Sequence, residues 1–428
     1  MSKPIDRTTG HYHPRLEIMT PETRAEYLNR RLAEIVEHAY AKAPAVKAKF
    51  DQAKVAPHDI RTVKDLERLP ITEKAELVEL QKKNPPFGGL VAVDLKDLRR
   101  IFASPGPIYE PYELDYEDDR WCQAFFAAGF RPGDIGQVTF SYHMVPFAMM
   151  LDDALNKLGC LAVPTGVGNT ELQAGIMRDL KVNAYLGTPS FLLAIADKAE
   201  EMGLDLKKDL CLDVAFVAAE MLPESLRSQL EDRLGMLIRQ SYGTADAGCL
   251  SYECFYKNGM HYPDNVIVEI VDPETGRQLG PGEVGEVVAT VFNTTYPLIR
   301  FGTGDLSYYT DEPCPCGRTT NRLVKIVGRV DQVTKVKGMF IHPGQAAEVA
   351  GRFDVINRFQ VVVTRDQHKD HMAFQVELSR DDVNQDELKA DVEKAMQEIL
   401  RLKGECVFLP AGTLPDGCKT IEDRRTWD

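Results

Sequence analysis

The stretch YPLIRFGTGD, residues 296–305, is the most specific fold signal in the chain. An apolar run leads into a turn punctuated by Gly302 and Gly304, and the turn closes on one carboxylate, Asp305. Taken alone, such a carboxylate is typical of a β-turn in which Asp bonds the nearby backbone. The alternative is an acidic side chain placed at the end of a strand to bind a ligand.

Three other stretches raise the same question. SYGTAD, residues 241–246, follows the apolar segment Met236–Ile238 and resembles a strand-end loop, where α/β sheets bind ligands. The charged segment GRVDQVTKVKG spans residues 328–338, and LPDGCK places Lys419 just beyond a turn. Each also has an ordinary explanation as punctuation or solvated charge, so only their order and spacing carry weight.

Composition excludes several classes of protein. The 428 residues are 27% charged and 44% hydrophobic, which is typical of a globular protein with a large core. The net charge of -14 disfavours nucleic acid or an anionic membrane as the main partner. Nine cysteines, an odd number scattered along the chain, favour a reducing compartment. Since no signal-peptide or membrane-spanning pattern occurs, we expect a cytoplasmic protein.

Hydrophobic patterning indicates a mixed α/β architecture. Thr20 and Pro21 begin a helix, and residues 115–240 alternate helical stretches with short apolar runs, which favours a mostly parallel sheet. Turn signals between Val266 and Tyr309 indicate antiparallel strands. After Gly328 the pattern changes to a compact α+β unit. We therefore predict a large domain over residues 1–328 and a small one over 329–428.

Together these stretches resemble the phenylacetate-CoA ligase family of the adenylate-forming superfamily. The resemblance runs through DIRTVKDLERLP at residues 59–70, GNTE at 168–171 and TPS at 188–190, then PLIRFGTGDL, CPCGRT and GRVDQVTKVKG, and ends at Lys419. It implies an AMP-binding α/β domain, a small mobile domain, and two half-reactions. A carboxylate attacks ATP to give an acyl-adenylate and pyrophosphate, and the thiol of CoA then displaces AMP.

The resemblance also implies residue roles. Asp305 and Arg329 would bind ribose, Asp246 would coordinate Mg²⁺, and Lys419 would meet the carboxylate and the α-phosphate. The remaining implied positions are the adenine-contacting Ala219, Glu220, Tyr242 and Gly243, the hinge residue Asp331, and Gly338 for CoA. Physical chemistry supports this set independently. A carboxylate accepts both ribose hydroxyls, and a mobile cation offsets the repulsion of two reacting anions.

The phosphate-binding loop departs from the family pattern. Family loops are rich in Ser, Thr and Gly and end in Lys-Pro, whereas residues 104–111 here read SPGPIYEP. Ser104 and Gly106 remain as phosphate-binding candidates, but two prolines remove amide donors and Glu110 stands where the lysine is expected. Two alternatives therefore stay open: a non-catalytic protein that binds an adenylate or acyl-CoA, and an adenylating enzyme with an acceptor other than CoA.

Four residues could form a structural zinc site. Cys254, His261, Cys314 and Cys316 offer three thiolates and one imidazole, a common closed tetrahedral set. With four protein ligands the metal would pin the antiparallel region and leave no open catalytic position. The alternative is a turn with reduced thiols and an ordinary imidazole. Several relatives of the resembling family carry a CPCG knuckle here, which favours zinc.

The acyl pocket is expected after the strand near residue 140. The segment FSYHMVPF, residues 140–147, offers Tyr142, His143 and Phe147, which suit a flat aromatic acid. A core aromatic cluster with a satisfied histidine is the alternative. The identity of the acid is not readable from these residues, and the resemblance allows a homodimer.

Overall fold

The computed structural model describes residues 5–104, 108–113, 118–330, 334–336, 339–341, 343–366, 369–380, 382–415 and 417–425. Three of the predicted site residues, Gly106, Asp331 and Gly338, lie outside the described residues. So do the loop prolines Pro105 and Pro107.

The helices of the described part of the chain are concentrated before residue 235. Their bounds are α1 Pro14–Glu17, α2 Pro21–Lys42, α3 Pro44–Ala53, α4 Lys74–Lys83, α5 Arg120–Ala128, α6 Phe147–Leu158, α7 Thr170–Leu180, α8 Pro189–Glu201, α9 Glu224–Leu234, α10 Pro343–Gly351 and α11 Gln385–Ile399.

Among the described strands, the longest, of 8 to 11 residues, all lie in the second half of the chain. Their bounds are β1 Thr72–Glu73, β2 Leu98–Ser104, β3 Ile108–Glu113, β4 Ile135–Val138, β5 Leu161–Val163, β6 Ala184–Gly187, β7 Val214–Val217, β8 Leu237–Thr244, β9 Gly248–Glu253, β10 Met260–His261, β11 Val266–Val271, β12 Gly285–Val291, β13 Phe301–Thr310, β14 Arg322–Arg329, β15 Thr334–Val336, β16 Met339–Ile341, β17 Ile356–Asp366, β18 Lys369–Leu378, β19 Glu405–Leu409 and β20 Ile421–Asp423.

One 12-stranded sheet organises the large unit, in the order β11-β12-β13-β14-β10-β9-β8-β7-β6-β4-β5, with β1 added beside β13. Strands β4 to β8 pair in parallel, while β8–β9, β9–β10 and β11–β12 pair antiparallel. The predicted change from parallel to antiparallel pairing is therefore confirmed, and it falls at the β8–β9 turn. Buried runs such as Val214–Val217 are covered on both faces, as parallel strands require.

The first long helix follows from its sequence signals. The hydroxyl of Thr20 accepts a hydrogen bond from the amide of Thr23, and Pro21 begins α2. Leu32, Ile35 and Val36 then bury one stripe against the core of the sheet. The predicted amphipathic helix is confirmed.

The chain divides into two compact units. One comprises Met1–Thr303 with Tyr308–Lys325, and the other comprises Gly304–Ser307 with Ile326–Asp428. The second unit holds a four-stranded sheet in the order β19-β18-β17-β20, with α11 among its packed elements. This is the mixed α/β domain followed by a small α+β domain that the sequence predicts. The exact boundary after residue 328 stays a prediction.

Two expected turns are parts of strands instead. Asp305 lies inside β13, and Tyr242 and Gly243 lie inside β8. A glycine in each stretch instead permits a close approach, of Gly243 to the carbonyl of Gly248 and of Gly304 to the guanidinium of Arg329. None of the described helices is long and apolar enough to span a membrane.

A buried ion pair ties α9 to β9 in the first unit. Both guanidinium ends of Arg227 contact the carboxylate of Glu253, at 2.8 and 2.9 Å, and both side chains are 3% exposed. Removing one partner of a buried pair leaves the other charge buried without a counter-charge. This lowers the free energy of unfolding more than losing an exposed pair does.

We expect Arg227→Met to lower the free energy of unfolding by about 3–5 kcal/mol, because Glu253 would be buried without a counter-charge. Arg233→Met on the same helix removes only the exposed partners Asp197 and Glu200 and should cost about 0–1 kcal/mol. Urea denaturation measures both. Equal losses for the two variants would contradict this interpretation of the buried pair.

Candidate active site

The turn between β8 and β9 carries Asp246, at the point where strand pairing changes from parallel to antiparallel. The hydroxyl of Tyr242, on strand β8, donates to Thr303 Oγ1 at 3.0 Å. Thr303 in turn donates to the carbonyl of Val287 at 2.9 Å. In the turn itself, Thr244 Oγ1 accepts from the amide of Ala247 at 3.0 Å. These bonds fix the backbone on both sides of Asp246.

Gly243 allows the two strands to approach closely. A Cβ added at this position would overlap the carbonyl oxygen of Gly248 across the turn. Any side chain at Gly243 would therefore push β8 and β9 apart and move Asp246 with them. Its expected place beside adenine stays a prediction.

Arg120 holds the same turn from the other side. This buried guanidinium donates to the carbonyls of Ala247 and Cys249, at 2.7 and 3.0 Å, and pairs with Asp118. It begins α5, so the helix and the turn are locked together. Sequence reasoning missed this residue because its partners are backbone carbonyls more than one hundred residues away.

Lys74 provides a cation at the candidate site. Its ammonium lies 2.9 Å from Asp246 Oδ2, and the Asp246 side chain is fully buried. Strand β1 pairs in parallel with Phe301 and Gly302 of β13, so α4 starts beside the turn with Lys74 as its first residue. The sequence signal was weak, since Lys74 is an ordinary lysine four residues after the quoted 59–70 stretch.

Glu110 is the second carboxylate beside this turn. It lies on β3 and is 3% exposed; the Ser104 hydroxyl lies near its oxygens, but no described residue forms a hydrogen bond of good geometry with them. Burial raises the pKa of Glu110 to about 8, and the neighbouring Asp246 charge adds to the rise, while Ser104 and Lys74 oppose it. The residue that replaces the expected loop lysine is thus an acid directed into the protein, close to Asp246.

The two residues predicted to bind ribose form an ion pair within the second unit, and their contact with ribose stays a prediction. Arg329 Nη1 donates to Asp305 Oδ1 at 2.7 Å, with the Asp305 side chain 17% exposed. Gly304 has a φ of +74°, and a Cβ there would lie 2.7 Å from the Arg329 guanidinium. A glycine before Asp305 is therefore required by a left-handed backbone and by the arginine packed against it.

Lys419 lies just before β20 with an exposed side chain. Its backbone carbonyl accepts from Gln360 Nε2 at 2.9 Å, which ties the segment to β17. An ammonium on a tethered but exposed segment is available for a ligand. Its catalytic role stays a prediction.

Ala219 and Glu220 follow β7. Ala219 has a φ of +68°, in the left-handed region that side chains disfavour. The carboxylate of Glu220 accepts from the hydroxyl of Ser190 at 2.9 Å, at the start of α8. Both residues are exposed, and their contact with adenine stays a prediction.

The residues expected in the acyl pocket have different surroundings. Phe147 packs edge-on against Trp121 and Phe140, with ring centroids 5.4 and 4.6 Å apart. The hydroxyl of Tyr142 donates to Asp152 at 3.1 Å, and His143 is exposed. Phe147 and Tyr142 thus border an aromatic cluster, while His143 is exposed to solvent. Their role in binding an acid stays a prediction.

The four predicted zinc-ligating residues converge. Their ligand atoms all lie within 4.8 Å of one another. Cys254 Sγ is 3.7 Å from Cys314 Sγ, and Cys316 Sγ is 3.4 Å from His261 Nε2. Burial lowers the pKa of His261 and so favours the neutral imidazole that metal binding requires. The second ring nitrogen, Nδ1, lies 3.3 Å from Thr320 Oγ1, which orients the ring.

Comparisons with known proteins identify the family of the chain. A family described as AMP-binding enzyme matches residues 142–291, and the AMP-binding enzyme C-terminal domain matches residues 338–425. The phenylacetate-coenzyme A ligase of Thermus thermophilus is 30% identical over 408 residues, covering 92% of this chain and 90% of the relative. The Escherichia coli phenylacetate-coenzyme A ligase is 30% identical over 363 residues, covering 82% and 81%.

Solved structures share the fold. An open conformation of 2-hydroxyisobutyryl-CoA ligase, in complex with 2-HIB-AMP and CoA, superposes with a TM-score of 0.88. It is 22% identical and covers all of this chain and 96% of its own. This confirms the predicted fold of a large α/β domain with a small C-terminal domain.

We expect Gly243→Ala to lower the free energy of unfolding by about 1–3 kcal/mol, because the new methyl group overlaps the Gly248 carbonyl. Gly175→Ala is the matched control, since a Cβ at that position in α7 would meet nothing within 4 Å. It should raise stability by about 0.5–1 kcal/mol. An unchanged or more stable Gly243→Ala protein, measured by urea denaturation, would contradict the close approach.

Proposed function

Since the chain belongs to the phenylacetate-CoA ligase family of adenylate-forming enzymes, we propose that it ligates a carboxylic acid to CoA. In the first half-reaction the acid's carboxylate attacks the α-phosphorus of ATP, forming an acyl-adenylate and releasing pyrophosphate. In the second, the CoA thiol attacks the acyl carbon, releasing AMP and a proton. The observation that carries this proposal is 30% identity to a CoA ligase across 92% of the chain.

The residues of the chain suit the first half-reaction. Asp305 would accept hydrogen bonds from the ribose hydroxyls, with Arg329 orienting its carboxylate. Lys419 would bring a positive charge to the two reacting anions. We further propose that Lys74 takes over part of the role of the missing loop lysine, because it holds the ammonium that pairs with Asp246.

Magnesium fits the donors present at the turn. Asp246 Oδ1 is buried and has no hydrogen-bond partner among the described residues, so a hard oxygen ligand is available. When bound, Mg²⁺ would neutralise charge on the phosphates of ATP. The chain's own contribution is to hold Asp246 still, through Tyr242, Thr244 and Arg120.

We propose an aromatic acid as the substrate class. The support is the cluster of Phe140, Phe147 and Trp121, with Tyr142 at its border. Aromatic walls of this kind favour a flat ring by edge-to-face contact. The names of the curated relatives, phenylacetate-coenzyme A ligases, point to the same class. His143, being exposed, would be the residue able to meet a polar substituent.

We also propose structural zinc at the cluster of Cys254, His261, Cys314 and Cys316. A tetrahedron with Zn–S bonds of about 2.3 Å has S–S edges of roughly 3.8 Å, and the Cys254–Cys314 separation is 3.7 Å. The metal would tie the end of β9 and strand β10 to the loop between β13 and β14. Four protein ligands leave it no open position for catalysis.

The other functions considered from the sequence are less favoured. A binding-only homologue or a different acyl acceptor would fit the altered loop, but the curated relatives with this coverage are CoA ligases. A cytoplasmic location and a homodimer stay predictions.

The first half-reaction is tested by ATP–pyrophosphate exchange with a panel of aromatic acids. We expect exchange with at least one arylacetate or benzoate. Lys419→Ala should lower the rate by about 100-fold or more, and Lys74→Met by about tenfold or more, since each removes a cation near developing charge. Lys394→Ala and Lys83→Met are exposed-lysine controls on α11 and α4.

No exchange with any acid, while AMP still binds, would favour the binding-only homologue. Exchange without formation of a CoA thioester would indicate another acceptor. If Lys74→Met exchanges at the wild-type rate, the role proposed for Lys74 is wrong, although the ligase function would stand.

The zinc proposal predicts about one zinc per chain in protein purified without chelator, measured by inductively coupled plasma mass spectrometry. Cys316→Ser should lose most of the metal and melt at a lower temperature, because the metal links two loops. Cys211→Ser is the control, since that cysteine is exposed and lies outside the cluster. Wild-type protein without stoichiometric zinc would rule out the site.

A further inference from the structure

The feature that the proposed function leaves unexplained is Glu110. An acid in place of the family's loop lysine should repel the phosphates of ATP. Yet the carboxylate is not turned out to solvent, where it would be harmless and well hydrated. It is buried to 97%, beside a second carboxylate, in a position that costs free energy unless something compensates for it.

Four oxygen atoms around this point are buried and without a hydrogen-bond partner among the described residues. They are both carboxylate oxygens of Glu110, Oδ1 of Asp246 and the hydroxyl of Tyr296. All three residues line one cavity of about 40 Å³. Native proteins leave only a few such atoms per hundred residues, so four that belong to residues lining one small cavity indicate a missing partner.

The charge around the cavity indicates what kind of partner it is. Its described lining includes four carboxylates, those of Glu110, Glu113, Asp118 and Asp246, and one guanidinium, that of Arg120. Asp118 pairs with Arg120, and Lys74 pairs with Asp246 through Oδ2 only. Acidic groups are therefore in excess where the unpartnered oxygens lie, and keeping both Glu110 and Asp246 ionised requires a positive partner. The partner must be positive and must accept oxygen ligands.

A hard divalent cation meets these requirements. Mg²⁺ and Mn²⁺ bind carboxylate and neutral oxygens and retain some water. A cavity of about 40 Å³ holds such an ion with one or two waters. A single water molecule could satisfy the hydrogen bonds, but it would not offset the charge of two ionised carboxylates, those of Glu110 and Asp246.

We propose that Glu110 is a second carboxylate ligand, with Asp246, of a divalent cation bound in this cavity, and that the Tyr296 hydroxyl completes its protein shell directly or through water. The inference rests on the proposed function in one respect, because the cation is the one that would meet the ATP phosphates. It assigns the replaced loop residue a ligand role in place of a repulsive one. Lys74 would stay on Oδ2 of Asp246 and share that carboxylate with the ion.

The test is direct binding of Mn²⁺, followed by the electron paramagnetic resonance signal of the free ion, on the full chain without nucleotide or acid. We expect Glu110→Gln and Asp246→Asn each to weaken Mn²⁺ binding by about tenfold or more, since each removes a charged ligand. Glu113→Gln is the matched control. It removes a charge from the same strand and the same cavity, but its carboxylate accepts a hydrogen bond from Asn293. It should weaken binding by less than about threefold.

Thermal denaturation separates a lost ligand from a lost fold. Because burial beside Asp246 penalises the ionised form of Glu110, Glu110→Gln should be at least as stable as wild type in the absence of metal. Mn²⁺ should then raise the melting temperature of wild type and of Glu113→Gln, but hardly that of Glu110→Gln.

Two results would overturn the inference. One is wild-type protein that binds no Mn²⁺ at millimolar concentration, and the other is Glu113→Gln weakening binding as much as Glu110→Gln, which would indicate only a diffuse negative field. Failure of the ligase proposal looks different. In that case Mn²⁺ binds with the expected dependence on Glu110, but pyrophosphate exchange is absent with every acid.

Discussion

The contact between Lys74 and Asp246 is the constraint on which the site depends. It joins the start of α4 to the β8–β9 turn, two segments separated by 172 positions in the chain. Asp246 is buried, so without the ammonium it would be an uncompensated charge beside another acid. The ammonium fixes the position of the turn. Because it contacts Oδ2 of Asp246, it leaves Oδ1 available for the proposed cation.

Lys74 can reach the turn only because β1 is fixed beside β13. The ammonium of Lys49 donates to Thr72 Oγ1 and to the carbonyl of Ile299, both at 2.7 Å, and burial lowers its pKa to about 7. Arg300, with a left-handed φ of 54°, donates to the carbonyl of Leu69 at 2.7 Å, and its own carbonyl accepts from Thr72. Strain at a buried arginine is tolerated where many bonds over-determine it. The arginine of RFGTGD is thus a structural anchor for the short strand that leads to Lys74.

Local patterns predicted much of the fold, and tertiary contacts account for most of what they missed. The cap at Thr20, the run Val214–Val217 and the shift to antiparallel pairing follow from periodicity and turn chemistry within short windows. Lys74 and Arg120 could not be found this way, because nothing near them in sequence announces partners more than one hundred residues distant. The Cys and His cluster was found from spacing, since few residue types offer thiolate and imidazole ligands. Asp305 was placed in a turn because glycine signals conformational freedom without saying whether a turn or a packed guanidinium requires it.

Glu110 shows why a substitution should be judged by its surroundings and not by its sign. A lysine in this place would add a second ammonium near Lys74, and each would raise the cost of burying the other. The acid instead feels the charges of both Asp246 and Lys74, and it lines a cavity whose described lining holds more carboxylates than guanidinium groups. Such a cavity suits an exchangeable cation, whereas the charge of a covalently attached lysine would be permanent. The altered loop is therefore compatible with reaction at the phosphates of ATP, provided that Lys74 and a bound cation supply the positive charge that the loop lysine supplies in the family.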